Sequence, residues 1–249
     1  MIQVQRIGLP QQLAELAAEQ TEVITKVALD ERYKLARELW SHSTNRRKLV
    51  TPLRQLLRHM AHGNRCCMYC CSDLSTDVDH FEPVAENPLR TFDWLNHLLA
   101  CTECNSKKND KWELFEDGEP KLIDPTREDP FEHLYLSLTT GKYEGLTEKG
   151  KFTRETCGLD RDDLPEARCM ARDIVTVCAS DWLHAWRNGN ERRMTIAVRT
   201  IREQPFADVS QFMLRQAMLP QAHRAFDFEC GLETLEYLRH PQLRSALLA

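Results

Sequence analysis

The sequence lacks any long hydrophobic run. None of its apolar stretches approaches the roughly 20 residues that a membrane-spanning helix needs. Its first residues, MIQVQRIGLPQQLAEL, lack the long apolar segment of a secretory signal. We therefore expect a cytoplasmic protein that does not associate with membranes.

The chain also lacks an excess of positive charge. Its formal net charge is −5, which argues against a protein that coats nucleic acid along its whole surface but leaves room for a local basic cleft. Repeats and low-complexity segments are absent from the sequence too. With 249 residues, of which 42% are hydrophobic and 29% charged, the chain is long enough for one or two globular domains with a substantial core.

Helical patterns are found in the N-terminal part of the chain. Apolar residues recur at helical spacings over residues 10–41, where Pro10 suits a first turn. The segment TPLRQLLRHMA predicts another helix, in which Thr51 is the cap and Pro52 occupies the first position. The intervening STNRRKL is typical of a basic loop.

The C-terminal part is also predicted to be mostly helical. The segment from Leu164 predicts a long helix with one apolar face. The residues on or near this face are Ala167, Met170, Ile174, Val177, Cys178 and Leu183. Two shorter helices, ERRMTIAVRTI and DVSQFMLRQAML, follow it.

The middle of the chain has a different organisation. Over residues 64–112 short apolar pieces alternate with Asp, Asn, Pro and Cys, which predicts a β-hairpin around residues 78–83, a loop, and a helix from about Cys104. Residues 113–150 are rich in turn formers, so short strands or irregular connections are expected there. The predicted fold is mainly α with a small α+β insert: a helical region over 1–62, the insert over 63–125 and a mostly helical region over 126–249.

Ten cysteines are many for a chain expected in a reducing compartment, where clustered pairs more often bind metal than form disulfides. Two pairs have the spacing Cys-x-x-Cys, and zinc takes four such thiolates in a tetrahedron. The sequence therefore predicts a structural zinc site that clamps the ends of the intervening segment, with buried free thiols as the alternative. The predicted ligands are Cys67, Cys70, Cys101 and Cys104.

Two further points concern the remaining cysteines. Cys66 can in principle replace Cys67 as a ligand, although only Cys67 and Cys70 have the Cys-x-x-Cys spacing. The scattered cysteines are predicted to be small buried packing residues. These are Cys157, Cys169, Cys178 and Cys230.

The segment between the two pairs carries a recognisable motif set. CMYC (67–70), DVDHFEP (77–83) and DWLNHLLACTECNSKK (93–108) together resemble the HNH nucleases, which have a ββα-metal fold. The resemblance implies that a zinc-stabilised HNH module hydrolyses phosphodiester bonds of nucleic acid, most plausibly DNA. A neutral histidine can act as the base that deprotonates water, and a hard cation held by oxygen ligands can stabilise the developing charge.

The resemblance also implies roles for individual residues. His80 is the general base, on the second strand of the hairpin, and Asp79 beside it is a ligand of the catalytic Mg²⁺ or Mn²⁺. Asn105 is the second ligand of that ion. Asn96 ties the loop and orients His80 by hydrogen bonds without touching the metal.

The resemblance further suggests that lysines near the last motif contact substrate phosphates. These are Lys107, Lys108 and Lys111.

Each of these residues also has a structural alternative. The three lysines can form a solvated face, and His80 can be a core histidine. Asn105 can cap the helix that follows Cys104. Asp77 is more typical of a turn residue than Asp79 is.

A narrower resemblance extends over residues 64–170. Asp124-Pro125 and Asp129-Pro130 supply a DPxxxDP stretch, and CGLDRDDLPEAR (157–168) matches a later segment of the PtuB-type HNH subgroup, which serves in Septu anti-phage defence and is also found with retrons. This resemblance implies an ABC-type ATPase partner. Two other hypotheses stay open: a non-catalytic zinc module that binds nucleic acid or a protein, and a toxin that cleaves tRNA or other RNA.

Overall fold

The fold is mainly helical, with two small two-stranded sheets. A computed structural model describes residues 1–63, 65–72, 75–226 and 231–248. Its α-helices in the N-terminal and middle parts are α1 (Gln11–Thr25), α2 (Leu29–Ser41), α3 (Ser43–Asn45), α4 (Thr51–Met60), α5 (Thr102–Lys108) and α6 (Glu148–Thr156). Those of the C-terminal part are α7 (Asp163–Arg187), α8 (Glu191–Glu203), α9 (Ala207–Gln216), α10 (Ala222–Phe226), α11 (Leu232–Arg239) and α12 (Pro241–Leu248).

The N-terminal part is more helical than the sequence predicts. The pattern over 10–41 contains two helices, α1 and α2, and Pro10 is the N-cap of the first. The loop predicted for STNRRKL is wrong, because α3 runs through a π-helical turn, Arg46–Val50, directly into α4. No glycine interrupts this stretch, and Leu49 anchors the turn in the core with 1% exposure. Thr51 therefore lies inside continuous helix and makes no side-chain cap.

The first sheet pairs segments that are distant in sequence. Strand β1 (Asp77–His80) runs antiparallel to β2 (His97–Ala100), with His80 opposite His97. The tight hairpin predicted around residues 78–83 is wrong, and His80 ends the first strand instead of lying on the second. Prolines at positions 83 and 88 lack the amide hydrogen that a sheet needs, so residues 81–96 form a loop with short 3-10 turns.

Helix α5 follows β2 at once. It begins at Thr102, two residues before the predicted start, and its N-cap is Cys101, whose Sγ accepts a hydrogen bond from the amide of Cys104 at 3.4 Å. The order along the chain is therefore strand, strand, helix, and this unit carries most of the predicted site residues.

Short strands between residues 113 and 150 are confirmed. Strands β3 (Leu134–Leu136) and β4 (Tyr143–Gly145) pair antiparallel, and an isolated bridge joins Leu114 to Pro120. Helix α6 packs against β4. Residues from all three predicted regions contribute to a common hydrophobic core, and the region boundaries at 62 and 125 stay predictions.

The predicted apolar face of α7 is buried only in part. Leu183 lies in the core, and Ala167 and Cys178 pack against it half-buried. Met170, Ile174 and Val177 are exposed, at 61%, 40% and 67%. Apolar residues occur on both sides of this helix, so periodicity alone did not identify these three as exposed. The buried side also holds a charged residue, Arg168, whose guanidinium lies over the Tyr143 ring at 4.6 Å. Its apolar members are Leu164, Ala171, Val175, Ala179, Trp182, Leu183 and Ala185.

The scattered cysteines are placed unevenly. Cys157 is buried, as predicted, whereas Cys169 and Cys178 are half-buried. Cys230 lies outside the described residues. Among the helices of the described ranges, none combines the length and hydropathy that crossing a bilayer requires.

Candidate metal centre and catalytic cleft

The four predicted zinc ligands meet in space. The sulfur atoms of Cys67, Cys70, Cys101 and Cys104 all lie within 4.8 Å of one another, and Cys66 is not a member of this group. Local structure explains the convergence: the first pair lies in the turn before β1, and the second pair flanks the start of α5. These cysteines can hold a metal ion such as zinc.

The donor set fits zinc better than a hard cation. Thiolates are the preferred ligands of structural zinc, whereas Mg²⁺ and Mn²⁺ prefer oxygen. Hydrogen bonds from the neighbouring thiols of Cys101 and Cys104 hold the pKa of Cys70 well below its usual value. A set of four thiolates leaves no open coordination position, so the site is suited to holding structure and not to binding substrate.

Arg161 caps the cysteine cluster from the segment between α6 and α7. Its guanidinium donates to Cys104 Sγ at 3.4 Å, to Cys70 Sγ at 3.6 Å and to Cys101 Sγ at 3.8 Å. Burial by itself lowers the pKa of Arg161, but the sulfurs of Cys70 and Cys104 outweigh it and the net pKa is raised. A permanent positive charge therefore lies against a cluster that becomes negative when its thiols ionise.

His80, at the end of β1, is held by a backbone carbonyl. Its Nε2 lies 3.0 Å from the Thr91 oxygen, and its ring meets Trp40 edge-on at a centroid distance of 4.5 Å. Since a carbonyl only accepts, Nε2 carries the hydrogen and the lone pair of the neutral ring is on Nδ1. Burial, followed by the nearby His97, lowers the pKa of His80 to about 3, so the ring is neutral at neutral pH.

Asn96 ties the loop between the two strands. Its side-chain oxygen accepts from the Glu82 amide at 2.8 Å, and its Nδ2 donates to the carbonyls of Glu82 and Arg90 at 3.0 and 3.2 Å. Its own carbonyl accepts from the amide of Phe81. Asn96 thus fixes the residues immediately after His80, although it makes no hydrogen bond to the imidazole.

Asp79 is buried, with 4% exposure. Its two oxygens accept from the Tyr69 hydroxyl at 2.6 Å and from the Lys108 ammonium at 3.2 Å. Burial raises the pKa of Asp79, against the opposing effects of Lys108 and Tyr69. A cation at Asp79 would have to share oxygens that already accept from protein donors, so its ligand role stays a prediction.

Lys108 is buried, whereas a lysine that contacts a substrate phosphate has to be exposed. Its side chain is 1% exposed, and its ammonium bridges Asp79 and the His80 carbonyl, the latter at 2.6 Å. Neither predicted role, phosphate contact or solvated face, fits this burial. Helix α5 packs against β1, and the Lys108 side chain lies between the two elements. Lys107 and Lys111 are exposed, and their contact with substrate stays a prediction.

Asn105 lies inside α5 and not at its cap, which is Cys101. The capping alternative is therefore wrong. The Asn105 Nδ2 donates a hydrogen bond to an oxygen of Asp77 at 3.3 Å. Asp77 is the first residue of β1, so its assignment to a turn is wrong too.

A cleft of about 380 Å³ brings part of the predicted site together. It lies between α2, β1 and α5, and its lining includes Asp79, His80 and Asn105 together with Arg37 and Asp110. Asn96 does not line it.

Sequence reasoning missed several contributors to this site. Thr91, Trp40 and the Arg161 cap have no local signal, because each reaches the site from a distant segment. His97 had one signal in the sequence, since it is a histidine directly before the apolar run Leu98–Ala100. Its Nε2 lies 2.9 Å from the same Thr91 oxygen that His80 contacts.

Comparison with known proteins gives one informative similarity. The chain is 29% identical over 106 residues to the Septu protein PtuB of Bacillus thuringiensis, which covers 41% of this chain and 39% of that protein. The chain thus matches about two fifths of the length of this curated relative. No protein-family model and no solved structure matches the chain.

Proposed function

We propose that the chain is a metal-dependent HNH endonuclease that hydrolyses phosphodiester bonds of DNA. The observation that carries the proposal is the state of His80. The Thr91 carbonyl fixes Nε2–H, which leaves the Nδ1 lone pair on a neutral ring that lines a cleft with Asp79 and Asn105. A non-catalytic zinc module has no need of such a base.

The cleft offers the groups that phosphodiester hydrolysis requires. The Nδ1 atom of His80 takes the proton of the attacking water, and the Thr91 carbonyl stabilises the ring in the orientation that this requires. Asn105 has an oxygen donor for a hard cation in the cleft, and the carboxylate of Asp77 lies next to it. A cation at Asp79 would share the oxygens that accept from Tyr69 and Lys108. When bound, Mg²⁺ or Mn²⁺ supplies stabilisation of the charge that develops on the phosphate and on the leaving 3′ oxygen.

The cysteine centre has a separate role in this proposal. The four sulfurs would hold a zinc ion that ties the start of α5 to the turn before β1, and this link would position Asn105 relative to His80. The similarity to the Septu protein PtuB supports a role in anti-phage defence. An ABC-type ATPase is the partner that this relationship suggests, and a tagged chain should co-purify with the product of the neighbouring gene.

The activity is tested by offering labelled duplex DNA and tRNA side by side, with Mg²⁺, with Mn²⁺ and without divalent cation. The proposal predicts cleavage of the duplex that depends on the cation and leaves 3′-hydroxyl ends. Cleavage of tRNA alone would favour the RNA-cleaving toxin. Binding of either nucleic acid without any cleavage would favour the non-catalytic module.

A further inference from the structure

Helix α4 carries arginines that pair with no carboxylate among the residues that the structure describes. Arg54 and Arg58 are four residues apart on α4 and therefore lie on the same side of the helix. Arg65 follows shortly after the helix ends, and its positive charge, like that of Arg54, acts on Arg58. We call these residues the arginine ridge. Among the described ranges, none of the three forms an ion pair with Asp or Glu.

The positive charges of Arg54 and Arg65 repel that of Arg58, and the Arg58 guanidinium is incompletely hydrogen-bonded. Burial, and then the charges of Arg65 and Arg54, lowers the pKa of Arg58. Its Nε atom is buried and has no hydrogen-bond partner within the part of the chain that the structure describes. A cluster of like charges attracts an anion with several regularly spaced charged groups.

The ridge continues into the cleft through a chain of contacts. The Arg54 guanidinium donates to the Thr76 carbonyl at 3.3 Å, and the backbone of Arg65 accepts from the Ser75 amide at 3.0 Å. Thr76 Oγ1 donates to Asp77 at 3.0 Å, and Asp77 accepts from Asn105, which lines the cleft. The ridge thus lies along the segment that leads into β1.

We propose that the arginine ridge binds the phosphate backbone of duplex DNA on one side of the scissile bond and guides that strand towards His80. This inference rests on the proposed nuclease function and names the surface that holds its substrate. Arginine contacts to phosphates position a duplex without reading its sequence, so the ridge contributes affinity and register and not base preference. The net charge of −5 for the whole chain makes such a local patch necessary for binding DNA directly.

The test measures the affinity of a fluorescein-labelled duplex by anisotropy across a series of KCl concentrations. All proteins carry His80→Ala, and divalent cations are omitted, so that cleavage does not interfere. The triple variant Arg54→Gln, Arg58→Gln, Arg65→Gln is expected to bind at least about tenfold more weakly. The slope of log affinity against log salt should also be shallower for this variant, by as much as about 2.7. Each phosphate contact on B-DNA contributes about 0.9 to that slope.

A matched control keeps the change in net charge the same. Arg187, Arg192 and Arg224 are exposed on α7, α8 and α10. Their triple substitution by Gln should leave affinity and salt dependence close to those of the unsubstituted protein. A second variant, with lysine at the three ridge positions, keeps the charges and should retain most of the affinity even if the Gln triple folds poorly.

The outcomes separate this inference from the proposed function. Three results would contradict DNA binding by the ridge. The ridge and control triples could lose affinity equally, neither triple could lose affinity, or the lysine triple could bind as weakly as the Gln triple. If the chain with His80 intact cleaves DNA and the ridge triple cleaves and binds equally well, only the ridge fails. If the chain binds duplex through the ridge but cleaves nothing, the nuclease proposal fails and the ridge stands.

Discussion

The imidazoles of His80 and His97 share one acceptor, the carbonyl oxygen of Thr91, at 3.0 and 2.9 Å. The two residues are direct cross-strand partners, so the sheet register brings both rings to one side. Both rings therefore point an N–H at the same oxygen, and this arrangement fixes the tautomer of the proposed catalytic base. Protonation of the fully buried His97 ring would add a charge where burial disfavours it.

The first prediction concerns acid sensitivity. Burial, the largest cause, lowers the pKa of His97 to about 4, whereas an unfolded histidine titrates near about 6.5. Between these values the unfolded chain binds more protons, so the free energy of unfolding falls as pH falls through this window. His97 alone should account for about 1 kcal/mol between pH about 7.5 and about 5.5.

Urea unfolding of the wild type and of His97→Leu at both pH values measures this contribution. The substitution lowers stability overall but should flatten the pH dependence by the stated amount. His184→Leu, which removes an exposed ring from α7, should keep the wild-type dependence. An unchanged pH dependence in His97→Leu would mean that His97 is not held neutral.

The second prediction concerns how much two nearby lysines, Lys108 and Lys111, contribute to stability. Lys108→Met leaves the buried Asp79 carboxylate without its ammonium partner, a change that typically costs about 3–5 kcal/mol of stability. Lys111→Met removes an exposed charge and should change stability by no more than about 0.5 kcal/mol. Chemical denaturation compares them, and equal effects would contradict the structural role of Lys108.

The third prediction concerns retention of the metal. The purified protein should contain about one zinc per chain, and Cys70→Ser or Cys101→Ser should lose it. Arg161→Gln removes the charge that lies against the sulfurs, and outer contacts of this kind typically contribute about 10–100-fold in metal affinity. Competition with a chromophoric chelator measures that loss. Arg187→Gln, an exposed position on α7, is the matched control, and zinc lost equally from both variants would count against the cap.

The fourth prediction concerns the catalytic cation. Asn105→Ala removes an oxygen donor from the cleft and should raise the Mg²⁺ concentration for half-maximal cleavage by at least about tenfold. Ser106→Ala, a neighbour that also lines the cleft, should leave it near the wild-type value. If Asn105→Ala lowers cleavage equally at all Mg²⁺ concentrations, Asn105 is not a ligand.

Local chemistry was readable from the sequence, and long-range pairing was not. The cysteine cluster followed from two Cys-x-x-Cys spacings, because each pair lies in one turn. The partner of β1 was missed because the loop between the strands is closed by Asn96 and not by a turn motif. Nothing in a run of lysines marks Lys108 as the buried one, since its partner Asp79 comes from strand β1.

The same reason explains the other differences. The buried face of α7 depends on which side meets the rest of the core, and both sides carry apolar residues. Arg161 reaches the cysteines from a segment far along the chain, so its role becomes visible only when the chain is folded.

The most direct test of the central claim is the rate of plasmid cleavage under single-turnover conditions with Mg²⁺ or Mn²⁺. The rate is compared for the wild type, for His80→Ala and for the exposed-site control His184→Ala. A positioned general base contributes about 100- to 10,000-fold. The account therefore predicts that His80→Ala loses at least about 100-fold in rate, while His184→Ala cleaves like the wild type and all three retain their zinc. Cleavage by His80→Ala at the wild-type rate, or no cleavage by the wild type, would contradict the account.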